Sequence, residues 1–270
     1  MRLSAHWPLL LLVLSMGSSV SAQETPPPSS SSSSSSSDNS ANASGEREVS
    51  WKLLAPNILD DQKHIWLFPA HIAKKKNWLP ALAVVGVTAG LVAADPYPAR
   101  YFRSTTSFHT FNNIFSGNST TGMIIAVPSV LYLYGLKEKS SYAQHTALLA
   151  AEDVVDAEIP NIVLRTSIHR LRPADIPPNG NAYDTWFETN ANPVNAKGSF
   201  PSGHAASAFA VATVFSMRYS KQHRWVPWVA YGGAALIGFS RVSTNAHFLS
   251  DVFFGSALGF SVSRFAVLRQ

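Results

Sequence analysis

The sequence predicts an all-α fold, a bundle of about six helices, on three observations. Beyond about Trp51 the apolar stretches are too long for strands. They are rich in Ala, Leu, Gly and Val and lack the period-2 alternation of a half-buried sheet. No segment repeats at a fixed period, so one bundle rather than a repeat array is expected.

The elements follow in order. Arg2 gives a positive start, residues 9–14 form an apolar core too short to span a bilayer easily, and Val20-Ser21-Ala22 offers a small-x-small cleavage pattern. Residues 1–22 are therefore read as a signal peptide, with a retained anchor as the alternative, and the rest of the chain as exported. Residues 23–50 read as a disordered Pro/Ser-rich linker: Pro26-Pro27-Pro28 runs into serine from Ser29 to Ser37. Such a composition buries too little apolar surface to offset its ordering entropy, and its expected role is a tether.

The candidate helices are 78–94, 121–136, 142–166, 204–219, 226–241 and 248–268. Pro80, Pro128 and Pro160 fall within or near them and predict kinks or boundaries. The Asn- and Pro-rich stretch 174–199 is expected to be a long functional loop that shapes entry to a site.

The chain has no cysteine, which excludes disulfides, thiolate metal sites and a cysteine nucleophile. Stability must come from packing. The net charge of +5 comes without an aromatic-interleaved basic surface, so no nucleic-acid partner is expected. At most it supports attraction to anionic lipid or phosphorylated substrates.

Two readings compete over the membrane. Glu152, Asp153, Asp156 and Glu158 are costly in lipid unless turned inward, which suits the amphipathic helix of a soluble bundle. Yet Lys74, Lys75, Lys76, Lys137, Lys139, Arg218, Arg224, Arg264 and Arg269 fall where a six-span topology would put them inside. A cleaved signal peptide would leave Lys74, Lys75 and Lys76 outside, so the two do not hold together in full. Membrane association is expected, with the span count and the oligomeric state open.

Three clusters carry the chemistry. The first runs from Arg165 to Arg172-Pro173, at the end of the third candidate helix. Arg165 and Arg172, seven apart, lie near one face, and their planar donors can bind phosphoryl oxygens in pairs. His169 lies inside this motif and is not assigned a role. The second is Ser199-Phe200-Pro201-Ser202-Gly203-His204, leading into an Ala-rich helix. Ser202 is a natural N-cap, Gly203 lets backbone approach a ligand, and free amides at a helix start favour an anion. The third runs from Ser240-Arg241 to His247 and Asp251. If His247 opens the last helix, Asp251 lies one turn on and can accept one ring N–H, freeing the other nitrogen to attack phosphorus. Each cluster alone also has a plain structural reading, as an exposed pair, a packed histidine or a helix-surface ion pair.

Together they resemble the signature of the type 2 phosphatidic acid phosphatase and vanadium haloperoxidase superfamily: basic-x6-Arg-Pro, Pro-Ser-Gly-His, then Ser-Arg-x5-His-x3-Asp. The second and third match fully. The first has Arg165 where the family usually has lysine, which keeps the charge on a longer, planar group.

The resemblance implies a helical phosphatase domain over 51–270 with its active site at one end. Arg165, Arg172 and Arg241 would bind phosphoryl oxygens, helped by Ser202 and Gly203. His247 would be the nucleophile, His204 the general acid and Asp251 the group holding His247. Three guanidiniums would supply the charge that a metal supplies elsewhere, so no metal or other cofactor is expected. The expected partner is a phosphorylated lipid or small phosphoester, met on the periplasmic-facing side of the cell envelope. Alternatives are a vanadium-dependent haloperoxidase, with vanadate as its cofactor, a soluble periplasmic non-specific acid phosphatase, or a non-catalytic scaffold.

Overall fold

Helix formation begins earlier in the chain than the sequence predicts. The computed structural model describes residues 47–74, 78–177, 180–188 and 198–268, without the side chains of 69–74. The signal peptide 1–22 and most of the linker lie outside these residues. The last four linker positions do not: Arg47 pairs with Asp61, and Val49 is buried in the core. The helical domain therefore starts before Trp51.

The helices are α1 (Leu54–Lys74), α2 (Leu79–Ala94), α3 (Pro96–Ser104), α4 (His109–Ile114), α5 (Gly117–Lys137), α6 (Ser141–Ile168), α7 (Gly203–Tyr219), α8 (Val226–Ser243) and α9 (Leu249–Val262), followed by a π turn, Ser263–Val267. No strand occurs among the described residues, so the fold is all-α. All six expected helices are present. The three additional ones escaped because Asp60, Asp61, Lys63 and His64 break the apolar run of α1, while α3 and α4 are short.

Local chemistry accounts for the boundaries. Ser116 and Ser140 cap α5 and α6, accepting from the N–H groups of Ser119 and Ala143. Pro80 sits in the first turn of α2, where its missing N–H costs nothing. Pro128 and Pro160 interrupt neither α5 nor α6, so the boundaries they suggested are absent. His169 ends α6 in the left-handed region, φ 47°.

Helix α7 is the centre of the packing, against α6, α8 and α9. Its buried Ala205, Ala206, Ala208, Ala210 and Ala212 let these neighbours come close. Against α9 the approach is backbone to backbone: a Cβ on Gly255 would lie 2.4 Å from the Ser202 carbonyl oxygen, and one on Gly259 2.0 Å from that of Ala206. Gly259→Val should therefore destabilise the fold by about 3 kcal/mol, read as a lowered Tm.

Glu152, Asp153 and Asp156 are buried and turned towards α1 and the π turn, not outward. The outer surface is apolar elsewhere: Leu82 and Val85 on α2, Ile125, Val130 and Leu133 on α5, and Trp228 on α8 are all exposed. Among the described residues only α5 is long and apolar enough to cross a membrane, with the α2–α3 pair, bent by 49°, as a possible second span. Helix α7 is largely buried, and α6 carries the acidic residues.

Candidate active site

Three segments meet at one end of the bundle, and backbone hydrogen bonds join them. Ser199 N–H donates to the Arg170 carbonyl (2.7 Å), Ser202 N–H to that of Asp251 (3.0 Å), and Ala174 N–H to that of Asn245 (3.0 Å). The end of α6, the start of α7 and the α8–α9 connection are thereby held in one register. Between them lies a cavity of about 360 Å³.

Five of the eight expected site residues line it: Arg165, Arg172, Arg241, His204 and His247. Three guanidiniums facing two imidazoles make a strongly positive pocket suited to an anion. Arg241 is buried and held by the Phe115 carbonyl and the Ser240 hydroxyl. The wall opposite, which sequence reasoning missed, comes from Asn112 and the start of α5 at Ser116 and Gly117.

His247 is buried, and its Nδ1 lies 2.7 Å from the Ser199 carbonyl oxygen. That oxygen can only accept, so Nδ1 carries the proton and Nε2 keeps a lone pair. Burial, and next the Arg172 guanidinium, push this imidazole well below its ordinary value of 6.5. A neutral ring with a fixed tautomer is the form a nucleophile needs.

Asp251 does not make the expected hydrogen bond to His247; its Oδ2 lies 3.9 Å from Nδ1. The one-turn spacing assumed that His247 opens the last helix. Helix α9 instead starts at Leu249, so Asp251 is its third residue and caps the Phe248 N–H (2.8 Å). Asp251 also accepts the Ser199 hydroxyl and pairs with Arg170 at 2.5 Å. It thus holds the segment whose carbonyl holds His247. Burial pushes its carboxyl up to about 6 against the opposing pull of Arg170.

Ser202 occupies the N-cap position of α7, but its hydroxyl makes no capping bond and is buried without a partner. Neither Ser202 nor Gly203 lines the cavity. Glycine at 203 has another cause: a Cβ there would lie 2.6 Å from Arg165 Nη2, 2.7 Å from Asn161 Nδ2 and 2.8 Å from Glu158 Oε1. The start of α7 thus packs directly on the face of α6 that presents Arg165. Glu158 in turn accepts from Ser207 and Asn161.

His204 Nε2 lies 3.2 Å from the Gly117 carbonyl oxygen and 3.0 Å from Thr121 Oγ1. Burial and then the Arg241 charge lower its pKa from 6.5. These histidines and Asp251 lie outside the two apolar segments long enough to span a membrane.

Arg170 was also missed, two positions before Arg172 in the first motif. It is 2% exposed, pairs with Asp95 (2.7 Å) and Asp251, and lies between the rings of Trp186 (4.1 Å) and Phe248 (3.9 Å). His169, its neighbour, does not line the cavity. The acidic residues close enough to share a metal ion, Asp61, Glu152 and Asp156, do not line it either.

Residues 145–270 match the PAP2 superfamily. Lipid A 1-phosphatase of Porphyromonas gingivalis is 43% identical over 67 residues, which are 25% of this chain and 15% of that protein. The chain therefore spans a small part of that relative. A solved structure, the first transmembrane PAP2 type phosphatidylglycerolphosphate phosphatase from Bacillus subtilis, is 21% identical with a TM-score of 0.43, over 67% of this chain and 91% of that one.

Proposed function

From a chain whose residues 145–270 match the PAP2 superfamily, we propose a phosphatase that hydrolyses lipid phosphates through a phosphohistidine on His247. One observation carries this reading: a neutral imidazole, tautomer fixed by the Ser199 carbonyl, opens into a pocket of three guanidiniums.

The chemistry follows from the groups in place. Arg165, Arg172 and Arg241 bind the phosphoryl oxygens and offset the charge that builds on them. His247 Nε2 attacks phosphorus, the bond to the leaving oxygen breaks, and His204 gives that oxygen its proton. Nδ1–H stays on the Ser199 carbonyl, which stabilises the positive ring. Neutral His204 then takes a proton from water, whose oxygen attacks the phosphohistidine, and phosphate leaves. Asp251 acts through Ser199 and not on the ring. The guanidiniums supply the positive charge, so turnover should persist in EDTA.

The lipid substrate is supported by the exposed apolar surfaces of α2, α5 and α8 and by the likeness to lipid A 1-phosphatase. These favour a protein seated at a membrane of the cell envelope, with the site on its outer face.

The test is phosphate release by the purified chain and its His247→Ala variant in EDTA, from lipid A, phosphatidic acid, undecaprenyl diphosphate and p-nitrophenyl phosphate. A higher kcat/KM on a lipid, lost in the variant, supports the reading. A preference for p-nitrophenyl phosphate points to the soluble acid phosphatase. Bromide peroxidation with vanadate and no ester hydrolysis points to the haloperoxidase.

The pH profile has a definite sign. His204 must be protonated to act as acid, and its pKa in the free enzyme is below 6.5. The His247 value lies well below 6.5, so the nucleophile stays neutral in weak acid. kcat/KM should therefore fall as pH rises through 6.5 and beyond, with the optimum on the acid side. An optimum above pH 8 would count against His204 as the acid.

A further inference from the structure

The two histidines of the site are held by opposite ring nitrogens. On His247 the Ser199 carbonyl takes Nδ1–H and frees Nε2. On His204 the contacts fall on Nε2, 3.2 Å from the Gly117 carbonyl oxygen and 3.0 Å from Thr121 Oγ1, both near the start of α5. The Gly117 oxygen can only accept, so Nε2 carries a proton. Thr121 gives its own hydroxyl proton to the same carbonyl (3.0 Å), which leaves the Oγ1 lone pairs to share Nε2–H. Nδ1 has no hydrogen-bond partner among the described residues, and His204 lines the cavity.

The same stretch of chain reaches a second site residue. Arg241 donates to the Phe115 carbonyl, and a Cβ on Gly117 would lie 3.4 Å from Arg241 Nη1. The start of α5 therefore rests against one phosphate-binding cation and one imidazole at once. It belongs to none of the three motifs, which span 165–173, 199–204 and 240–251. Burial, and then the Arg241 charge, disfavour the protonated His204 ring, with Arg165 adding to them; the Gly117 bond and then Glu158 oppose this. Acceptors at Nε2 thus support the charged ring without occupying the nitrogen that must give up a proton.

On the reading that His204 is the acid, we propose that Thr121 and the Gly117 carbonyl are its positioning groups. They fix Nε2–H, so Nδ1 protonates the leaving oxygen and later takes a proton from water. The ring carries both protons before the P–O bond breaks and only the Nε2 proton afterwards. It regains the second from the water that attacks the phosphohistidine.

The test compares the purified full chain with Thr121→Val, Thr121→Ser and His204→Ala on octyl phosphate and p-nitrophenyl phosphate. An alkoxide needs a proton to leave, and p-nitrophenolate does not. kcat/KM covers the steps up to transfer onto His247, so it isolates the acid from the later attack of water. Thr121→Val should lower it roughly tenfold on octyl phosphate, a part of what general acid catalysis supplies, and less than about twofold on p-nitrophenyl phosphate. Thr121→Ser should restore it. Thr121 is exposed, so the Tm of Thr121→Val should stay within about 2 °C of wild type. In ¹⁵N-histidine spectra at about pH 8, the signal lost in His204→Ala should be that of a ring protonated at Nε2. Equal losses on both substrates, no loss on either, a serine variant no better than valine, or an Nδ1–H ring would each overturn the proposal. His204→Ala should show the same split between substrates, only larger. Its absence there would remove His204 as the acid and this proposal with it, whereas its presence there and absence in Thr121→Val would sink the proposal alone.

Discussion

His247→Ala should lower kcat for phosphate release by roughly 10⁴–10⁶-fold, the scale seen when a nucleophile acting in a concerted set is removed. The loss should fall on kcat more than on KM, because Arg165, Arg172 and Arg241 still bind the phosphoryl group. The Tm should fall modestly, since alanine leaves a void and deprives the Ser199 carbonyl of its donor. Asp251→Asn should cost less activity, as its side chain is one step removed, 3.9 Å from Nδ1 and bonded instead to Ser199. Steady-state rates of both variants on one substrate check the contrast. Equal losses would return Asp251 to the ring.

The second large effect concerns stability. Arg170→Met should destabilise the protein by about 3–5 kcal/mol, because Asp95 and Asp251 would be left buried without their cation. The same change removes the group lying between Trp186 and Phe248. Thermal melting should show it as a large drop in Tm, and activity measured at low temperature should fall with the displacement of Ser199. A Tm within a degree or two of wild type would mean that Arg170 is dispensable to the site's frame.

The site was legible because its parts are short segments at helix ends, each with a local reason for its residues. Arg165, Arg172, Arg241, His204 and His247 could be named from the three motifs and the family they resemble, and they line one cavity. What spacing could not give was the partner of each. The bond from His247 to Ser199 joins positions 48 apart, and that from Arg170 to Asp95 joins positions 75 apart. No local pattern marks such pairs, although a third arginine in the first motif, Arg170, was a signal that went unused. The direct bond from Asp251 to His247 is absent for a related reason, since a start of α9 two residues later changes what lies one turn away.

The fold was legible where apolar runs were long, as in α2, α5 and α6, and not where charge broke them. In α1 the charged residues that break the apolar run sit among Asn57 and Gln62, which bond the acids of α6. The same acids argued against a lipid-facing α6, and the structure turns them inward, as their desolvation cost requires. The basic pattern records charge between helices and not the length or burial of each one.

The central claim is a phosphorylated His247. Acid is avoided: the enzyme is mixed with a ³²P-labelled phosphoester, quenched in base within milliseconds, digested and sequenced. The account predicts a base-stable, acid-labile phosphate on His247 that turns over in wild type, accumulates in His204→Ala and is absent in His247→Ala. Full turnover with no labelled chain, or label on any other residue, would contradict it.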